Sequence, residues 1–309
     1  MKAKKFLAAV LVLAFTLTVY VWSNGQLRDL RKTGNMGVKV RDFPFPVGFY
    51  KAAAGEFSGL SADFLYLDIA ATFGGRDAGT LTGADWDRIQ KAYAVATGLD
   101  PHFEPTFRSL QAYLPWSAER YRETIDLLEP VNEKRTWHWL PTFFIAFDHY
   151  FFLRDNAEAS RWFLLAAQRE KAPPLLATLG ARLAAESGNA AMGIDFLQRM
   201  MATTEDEKER KKYQNRITAL QGVMILEDAV KRYRADFGKN PPELLMLLLH
   251  GYLRNMPYNP YYHNFFYLDG VVRFDPFPTR GVASEQYKRA IKKQSREIPP
   301  LLKKPAPKT

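Results

Sequence analysis

The chain has 309 residues, a formal charge of +10, 47% apolar and 14% aromatic residues, and no cysteine. An apolar share of that size excludes global disorder, and the missing thiol excludes disulfides, thiol catalysis and cysteine-ligated zinc. Excess Lys and Arg lie in the flanks, around Arg28 to Arg41 and Lys288 to Lys304, and not among stacking aromatics. That distribution suits attraction to a membrane surface better than nucleic-acid reading, so no nucleic-acid partner is expected. Helix formers dominate the middle, while β-branched residues gather only in the first 47 residues and near the C-terminus. The expected fold is therefore all-α with small appendages.

The first element is the N-terminal run. Lys2, Lys4 and Lys5 precede an uncharged apolar stretch from Phe6 to Trp22, 17 residues long, at the short edge of what crosses a bilayer core. Tyr20 and Trp22 stand at one end, where amphipathic aromatics favour the interface. A cleaved signal shares the charged start, but this run leaves through Val21, Trp22, Ser23 and Asn24 with no small-residue exit. Residues 1–24 are read as an uncleaved single-pass anchor and 25–47 as a linker. Arg28, Arg31, Lys32, Lys39 and Arg41 compete with the three N-terminal lysines under the positive-inside rule, and charge counting alone leans against export. The short N-terminal tail resembles a signal anchor, which would place the chain in an inner membrane with its bulk in the periplasm.

A helix follows over Gly59 to Phe73, with Phe64, Leu65 and Leu67 among its apolar residues, and opens the body. Asp63 and Asp68 on it are spaced about 140° apart, so they do not converge as a catalytic pair. Gly74 to Gly83 reads as a flexible loop.

From about Asp85 to Met201 the sequence repeats. Ile89, Tyr93 and Ala96 recur as Thr124, Leu128 and Val131, then as Ala159, Phe163 and Ala166, then as Gly193, Leu197 and Met200, at steps of 35, 35 and 34 residues. That period is close to the tetratricopeptide (TPR) unit and unlike ankyrin or HEAT repeats. The small-large-small order at i, i+4 and i+7 puts one stripe on one helical face, and its small members let a neighbouring helix approach. Phe107 and Leu110, and Phe143 and Tyr150, take the large positions of the preceding helices. A lone helical pair cannot bury such a stripe, so residues 48–203 are expected to stack as a TPR-like solenoid. Its packing residues would be Ile89, Tyr93, Ala96, Leu128, Tyr150, Ala159, Phe163, Ala166 and Leu197. The order Leu60, Ala62, Asp63, Phe64, Leu65, Tyr66, Leu67, then Leu99, Asp100, Pro101, then repeats, resembles bacterial membrane-anchored TPR proteins.

Residues 204–276 form the next expected unit. Thr204 to Phe237 is a long charged helix with Ile217, Leu220, Met224, Val230 and Tyr233 near one face, ending at a capping Gly238. Pro241 and Pro242 open a short helix, Glu243 to Leu249, closed by Gly251. Phe265 to Leu268 and Val271 to Phe274 flank Asp269-Gly270, which is a hairpin signature. The series Tyr233, Phe237, Gly238, Pro241, Leu245, Leu253, Pro257, Asn259, Pro260, Tyr267 and Gly270 resembles the helix-to-hairpin segment of type II secretion pseudopilins. That resemblance implies a local shape. It does not imply the calcium site, because Asn259 and Tyr261 stand where an acidic ligand is wanted. Residues 277–309 are basic and proline-bearing, and are expected to be disordered.

Chemistry is sparse. His102, His138, His149, His250 and His263 have no metal-ligand spacing, and no nucleophile elbow or phosphate-binding glycine loop occurs. His149 beside Asp148 is the best candidate base, although a histidine in a repeat helix suits a packing role better. No cofactor or metal is expected. Between Trp137 and Phe152 lie more large aromatics than one buried stripe can use, so Trp137, Trp139, Phe144, Phe147 and Phe151 form a candidate partner-binding surface. The expected function is a non-catalytic scaffold or assembly factor of the cell envelope, serving pilus, secretion or export machinery through protein partners. The alternatives are a chaperone-like binder of envelope clients and a glycan-processing enzyme subunit.

Overall fold

The computed structural model describes residues 13, 15–25, 41–75, 77–261, 264–268 and 270–274. These are mostly helical, in keeping with the composition. They fall into two compact units, Met1–Asp148 and His149–Thr309, a division that lies inside the stretch read from sequence as one repeat array. Residues 15–25 are helical and exposed. Among the described residues no helix is long and apolar enough to cross a membrane. Residues 1–12 and 14 of the expected anchor (1–24), residues 26–40 of the expected linker (25–47) and the whole expected tail (277–309) lie outside the described residues.

The first unit contains α1 (Val47–Ala54), α2 (Ser58–Gly75), α3 (Gly83–Leu99), α4 (Glu104–Ser117), α5 (Tyr121–Lys134) and most of α6 (Trp139–Phe151). Helix α2 runs past Phe73 to Gly75, and the expected flexible loop contains a 3-10 turn, Ala78–Thr80, with Asp77 Oδ1 accepting from Gly79 N at 2.9 Å. The loop is therefore shorter and more structured than its glycines suggested. Thr82 starts α3 through a reciprocal cap: Asp85 N donates to Thr82 Oγ1 (3.2 Å) and Thr82 N to Asp85 Oδ2 (3.1 Å), satisfying amides the helix cannot pair internally. Trp86, Ile89, Tyr93 and Ala96 line the buried face of α3. Tyr93 Oη and Ser109 Oγ are hydrogen-bonded at 2.6 Å, joining α3 to α4. Val47 presses against Gly98 so closely that an added Cβ there would lie 2.2 Å from Val47 Cγ1. Arg120, leading into α5, reaches back to α3 through Asp87 Oδ1 at 2.5 Å.

The second unit contains α7 (Asn156–Ala167), α8 (Leu175–Glu186), α9 (Ala190–Thr203), α10 (Glu207–Phe237), α11 (Leu245–Leu249) and a two-stranded sheet, β1 (Phe266–Leu268) and β2 (Val271–Arg273). Small residues let α7, α8 and α9 approach backbone to backbone. A Cβ on Gly180 would meet Leu164 Cδ2 at 2.7 Å, and one on Gly193 would meet Ala181 O at 2.8 Å. Ser160 Oγ donates to Gly180 O (2.9 Å) across the same seam. The long helix starts three residues later than expected, after the Asp206 cap, and ends at Gly238 in the left-handed region (φ 69°). Its buried face includes Tyr213, Ile217, Leu220, Val223, Leu226, Val230 and Tyr233, whereas Met224 is turned outward. That corrects the face assigned to Met224: position 224 falls one step off the stripe that Leu220 and Val223 define. Helix α11 is also shorter than expected, starting at Leu245.

The hairpin pairs antiparallel with Tyr267 opposite Val272, and Gly270 takes the positive φ (85°) its turn requires. Asp269 lies outside the described residues. Phe265 sits over Gly222 of α10, where an added Cβ would touch Phe265 Cζ at 2.3 Å. Arg216 stacks its guanidinium on Tyr261 (5.1 Å) and Phe274 (4.8 Å), and Tyr267 Oη donates to Pro241 O at 2.8 Å.

Candidate functional site

Helix α6 concentrates the aromatic surplus seen in the sequence. Leu140, Pro141, Thr142, Ile145, Ala146 and Asp148 are buried, and the half-buried Trp139, Phe143 and Phe147 share another face at i, i+4 and i+8. The rings form a chain: Trp139 to Phe143 at 5.7 Å, Phe143 to Phe147 at 6.1 Å, and Phe147 to Trp116 of α4 at 6.2 Å. Trp116 is 52% exposed and Trp137 51%. Phe144 leans the other way, edge-on to the buried Phe107 at 6.4 Å.

Of the five expected surface residues, Trp137 is exposed, while Trp139, Phe147 and Phe144 are half-buried, Phe144 against the core of the first unit. Phe151 belongs to the second unit, packing against Phe152 (4.9 Å) beneath the Arg154 guanidinium (5.6 Å). Phe143, assigned from sequence to repeat packing, links Trp139 to Phe147, and Trp116 joins them from another helix. The residues expected to pack the repeats are buried except Tyr150, which is half-buried and packs on Phe163 at 6.4 Å.

Arg135 holds one end of this surface. It follows α5 as its C-cap, with its amide donating to Val131 O, and its side chain is 9% exposed. The guanidinium donates to His102 O, lies 3.5 Å from Glu104 Oε2 and 3.0 Å from His138 Nδ1. It also stacks on Phe107 (5.3 Å) and Trp137 (5.6 Å), while His102 stacks on Trp137 at 5.5 Å. Burial and the Arg135 cation together keep the His138 imidazole below its ordinary value, so it stays neutral near pH 7. Trp137 is therefore an exposed ring on a fixed mount.

Beneath the aromatic chain lies a polar layer. Gln111 Nε2 donates to Asp148 Oδ1 at 2.6 Å, and Thr142 Oγ1 to Asn132 Oδ1 at 2.5 Å. Asp148 is fully buried, and burial pushes its carboxyl up to about 7 against the one helpful hydrogen bond from Gln111. Thr106 Oγ1, Gln111 Oε1 and Asp148 Oδ2 have no hydrogen-bond partner. The buried hydrogen bond between Gln111 and Asp148 braces α4 against α6. His149 is the next position along the helix, about 100° away, so the two side chains do not form the base pair their adjacency suggested.

His250 lies edge-on to Tyr233 (5.6 Å) and Phe237 (5.1 Å), and His263 is outside the described residues. Among the described residues no cluster of three potential metal ligands occurs. Asn259 is fully buried; its Nδ2 donates to Asn264 O (2.7 Å) and Phe274 O (2.8 Å), and its Oδ1 accepts from Tyr261 N (3.0 Å). A neutral amide thus clasps the loop where the pseudopilin resemblance points to an acidic residue. A small cleft between α8, α10 and β2 encloses about 60 Å³, well under the roughly 300 Å³ of a typical small-molecule site. In it Glu186 Oε1 lies 3.5 Å from Arg182 and 3.6 Å from Arg273, and burial raises the Glu227 carboxyl.

Arg135, Trp116 and the Gln111–Asp148 pair escaped sequence reading. The run Arg135-Thr136-Trp137-His138-Trp139 carried a hint, since an arginine among aromatics often stacks on them. Gln111 and Asp148 are 37 residues apart and give no local sign of pairing. Compared with known proteins, the chain matches no family model, no curated protein and no solved structure.

Proposed function

We propose that the chain is a non-catalytic scaffold of a bacterial cell envelope that binds a protein partner through the aromatic ridge of α6. The observation that carries this reading is the continuous series Trp139, Phe143, Phe147 and Trp116, with Trp137 on its Arg135 mount. Aromatics of this size dominate binding energy at protein interfaces, and the exposed Trp116 and Trp137 with the half-buried rings between them offer such a patch in fixed geometry. Repeated helical pairs stacked in the TPR manner would extend the surface. The apolar run to Trp22 and the basic residues after it suit a single-pass inner-membrane anchor with the bulk of the chain in the periplasm. The pseudopilin-like segment favours a pilus, secretion or export setting.

The test is photocrosslinking in intact membranes from a benzoylphenylalanine at Trp137, comparing the native ridge with Trp139→Ser/Phe143→Ser/Phe147→Ser. One stoichiometric partner, recovered about tenfold less or worse with the substituted ridge, is the expected result. A broad population of envelope clients would instead support the chaperone-like reading. Turnover of a glycan by the purified chain, with no protein captured, would sink both.

A further inference from the structure

A second surface lies on α2 and is unrelated to the aromatic ridge. From the turn residue Phe57 into the helix, large apolar residues recur at Phe57, Leu60, Phe64 and Leu67, and Ala71 continues the series. The steps of 3, 4, 3 and 4 residues are those of the a and d positions of a heptad. The four large side chains are between 53% and 70% exposed. The helix packs inward with its opposite side: Ala62, Ile69 and Thr72 are buried, Tyr66 meets Phe103 at 5.5 Å, and Phe73 stacks on Tyr113 at 3.7 Å. Its fold contacts thus use the positions a coiled coil gives to solvent, and its seam faces out.

The charges beside the seam select the occupant. Glu56 and Asp63 occupy g positions and Asp68, whose Oδ2 lies 3.6 Å from Arg41 Nε, an e position; α2 itself contains no Lys or Arg in a chain of net charge +10. A second copy would set carboxylates against carboxylates. Parallel pairing opposes g to e and antiparallel pairing opposes g to g and e to e, so both orientations repel. An anionic bilayer is disfavoured by the same carboxylates. We infer that α2 docks an amphipathic helix of another protein, one with apolar a and d residues flanked by Lys or Arg at e and g.

The test uses the full chain in nanodiscs of neutral phosphatidylcholine and two synthetic three-heptad peptides with Leu at a and d, one with Lys and one with Glu at e and g. Fluorescence anisotropy should show the Lys peptide binding about tenfold more tightly than its Glu twin. Phe64→Ser/Leu67→Ser should abolish that binding, and Glu56→Lys/Asp63→Lys should invert the preference. Glu56, Phe64 and Leu67 are exposed and Asp63 is only half-buried, so each variant should keep the native circular dichroism spectrum. Equal binding of the two peptides, or binding indifferent to Phe64→Ser/Leu67→Ser, would overturn the proposal. So would self-association of the unliganded chain that Phe64→Ser removes, or lipid-borne quenching of a tryptophan placed by Phe64→Trp.

Discussion

At the scale of single residues, Asp148 has the largest thermodynamic consequence. Its ordinary value is 3.8 and burial raises it to about 7. Between those values the folded chain keeps the proton and the unfolded chain has lost it, so stability falls as pH rises through the window and levels off above pH 7. The slope amounts to at most about 4 kcal/mol over the window. Asp148→Asn retains an acceptor for Gln111 Nε2 and has no charge to bury. Urea denaturation should find the variant more stable than the parent at pH 8, with the difference shrinking toward pH 4. A gain that is equal at both pH values would show that the buried carboxyl is not what titrates. Asn259 makes the complementary point: an uncharged amide with both ends used contributes no such pH dependence.

At the scale of elements, the contacts between α7, α8 and α9 depend on glycine. A Cβ at Gly193 would stand 2.8 Å from Ala181 O and 2.9 Å from its Cα, and backbone atoms cannot rotate away. Alanine is a better helix former than glycine by about 1 kcal/mol, but overpacking costs about 1–3 kcal/mol, so Gly193→Ala should be net destabilising. Gly74, near the end of α2, has nothing within 4 Å of an added Cβ, and Gly74→Ala should be neutral or stabilising by up to about 1 kcal/mol. Chemical denaturation of the two variants gives opposite signs if close approach, rather than propensity, governs the seam. The same logic holds for Gly180, where an added Cβ would also meet backbone, Leu164 N at 3.1 Å.

At the scale of the whole molecule, the charge of +10 should show itself as membrane attraction. A variant lacking residues 1–24 should bind anionic phosphatidylglycerol vesicles at low salt and release them as salt approaches roughly 0.5 M, where screening shrinks the range of the field to a few ångströms. Salt-resistant binding would point to an apolar contact instead. Much of the order of elements was legible in the sequence because its signs are local. Gly238 supplies a left-handed stop, Gly270 the positive φ of a hairpin turn, and period-3.6 stripes mark helices, whereas the Thr82–Asp85 cap stands at the end of a stretch read as a flexible loop. Local signs also named the aromatic surplus near Trp139. What a stripe meets is not local. Periodicity places Phe64 with Leu67 and Trp139 with Phe143, but only tertiary packing decided that the first pair is exposed and the second half-buried while Ala62, Ile145 and Phe107 turn in. It also brought Gln111 to Asp148 and seated Arg135 between Phe107 and Trp137. The sequence alone therefore determined which helices form and which residues share a face. The tertiary structure decided which faces are left for a partner, since that depends on what the rest of the chain has already covered.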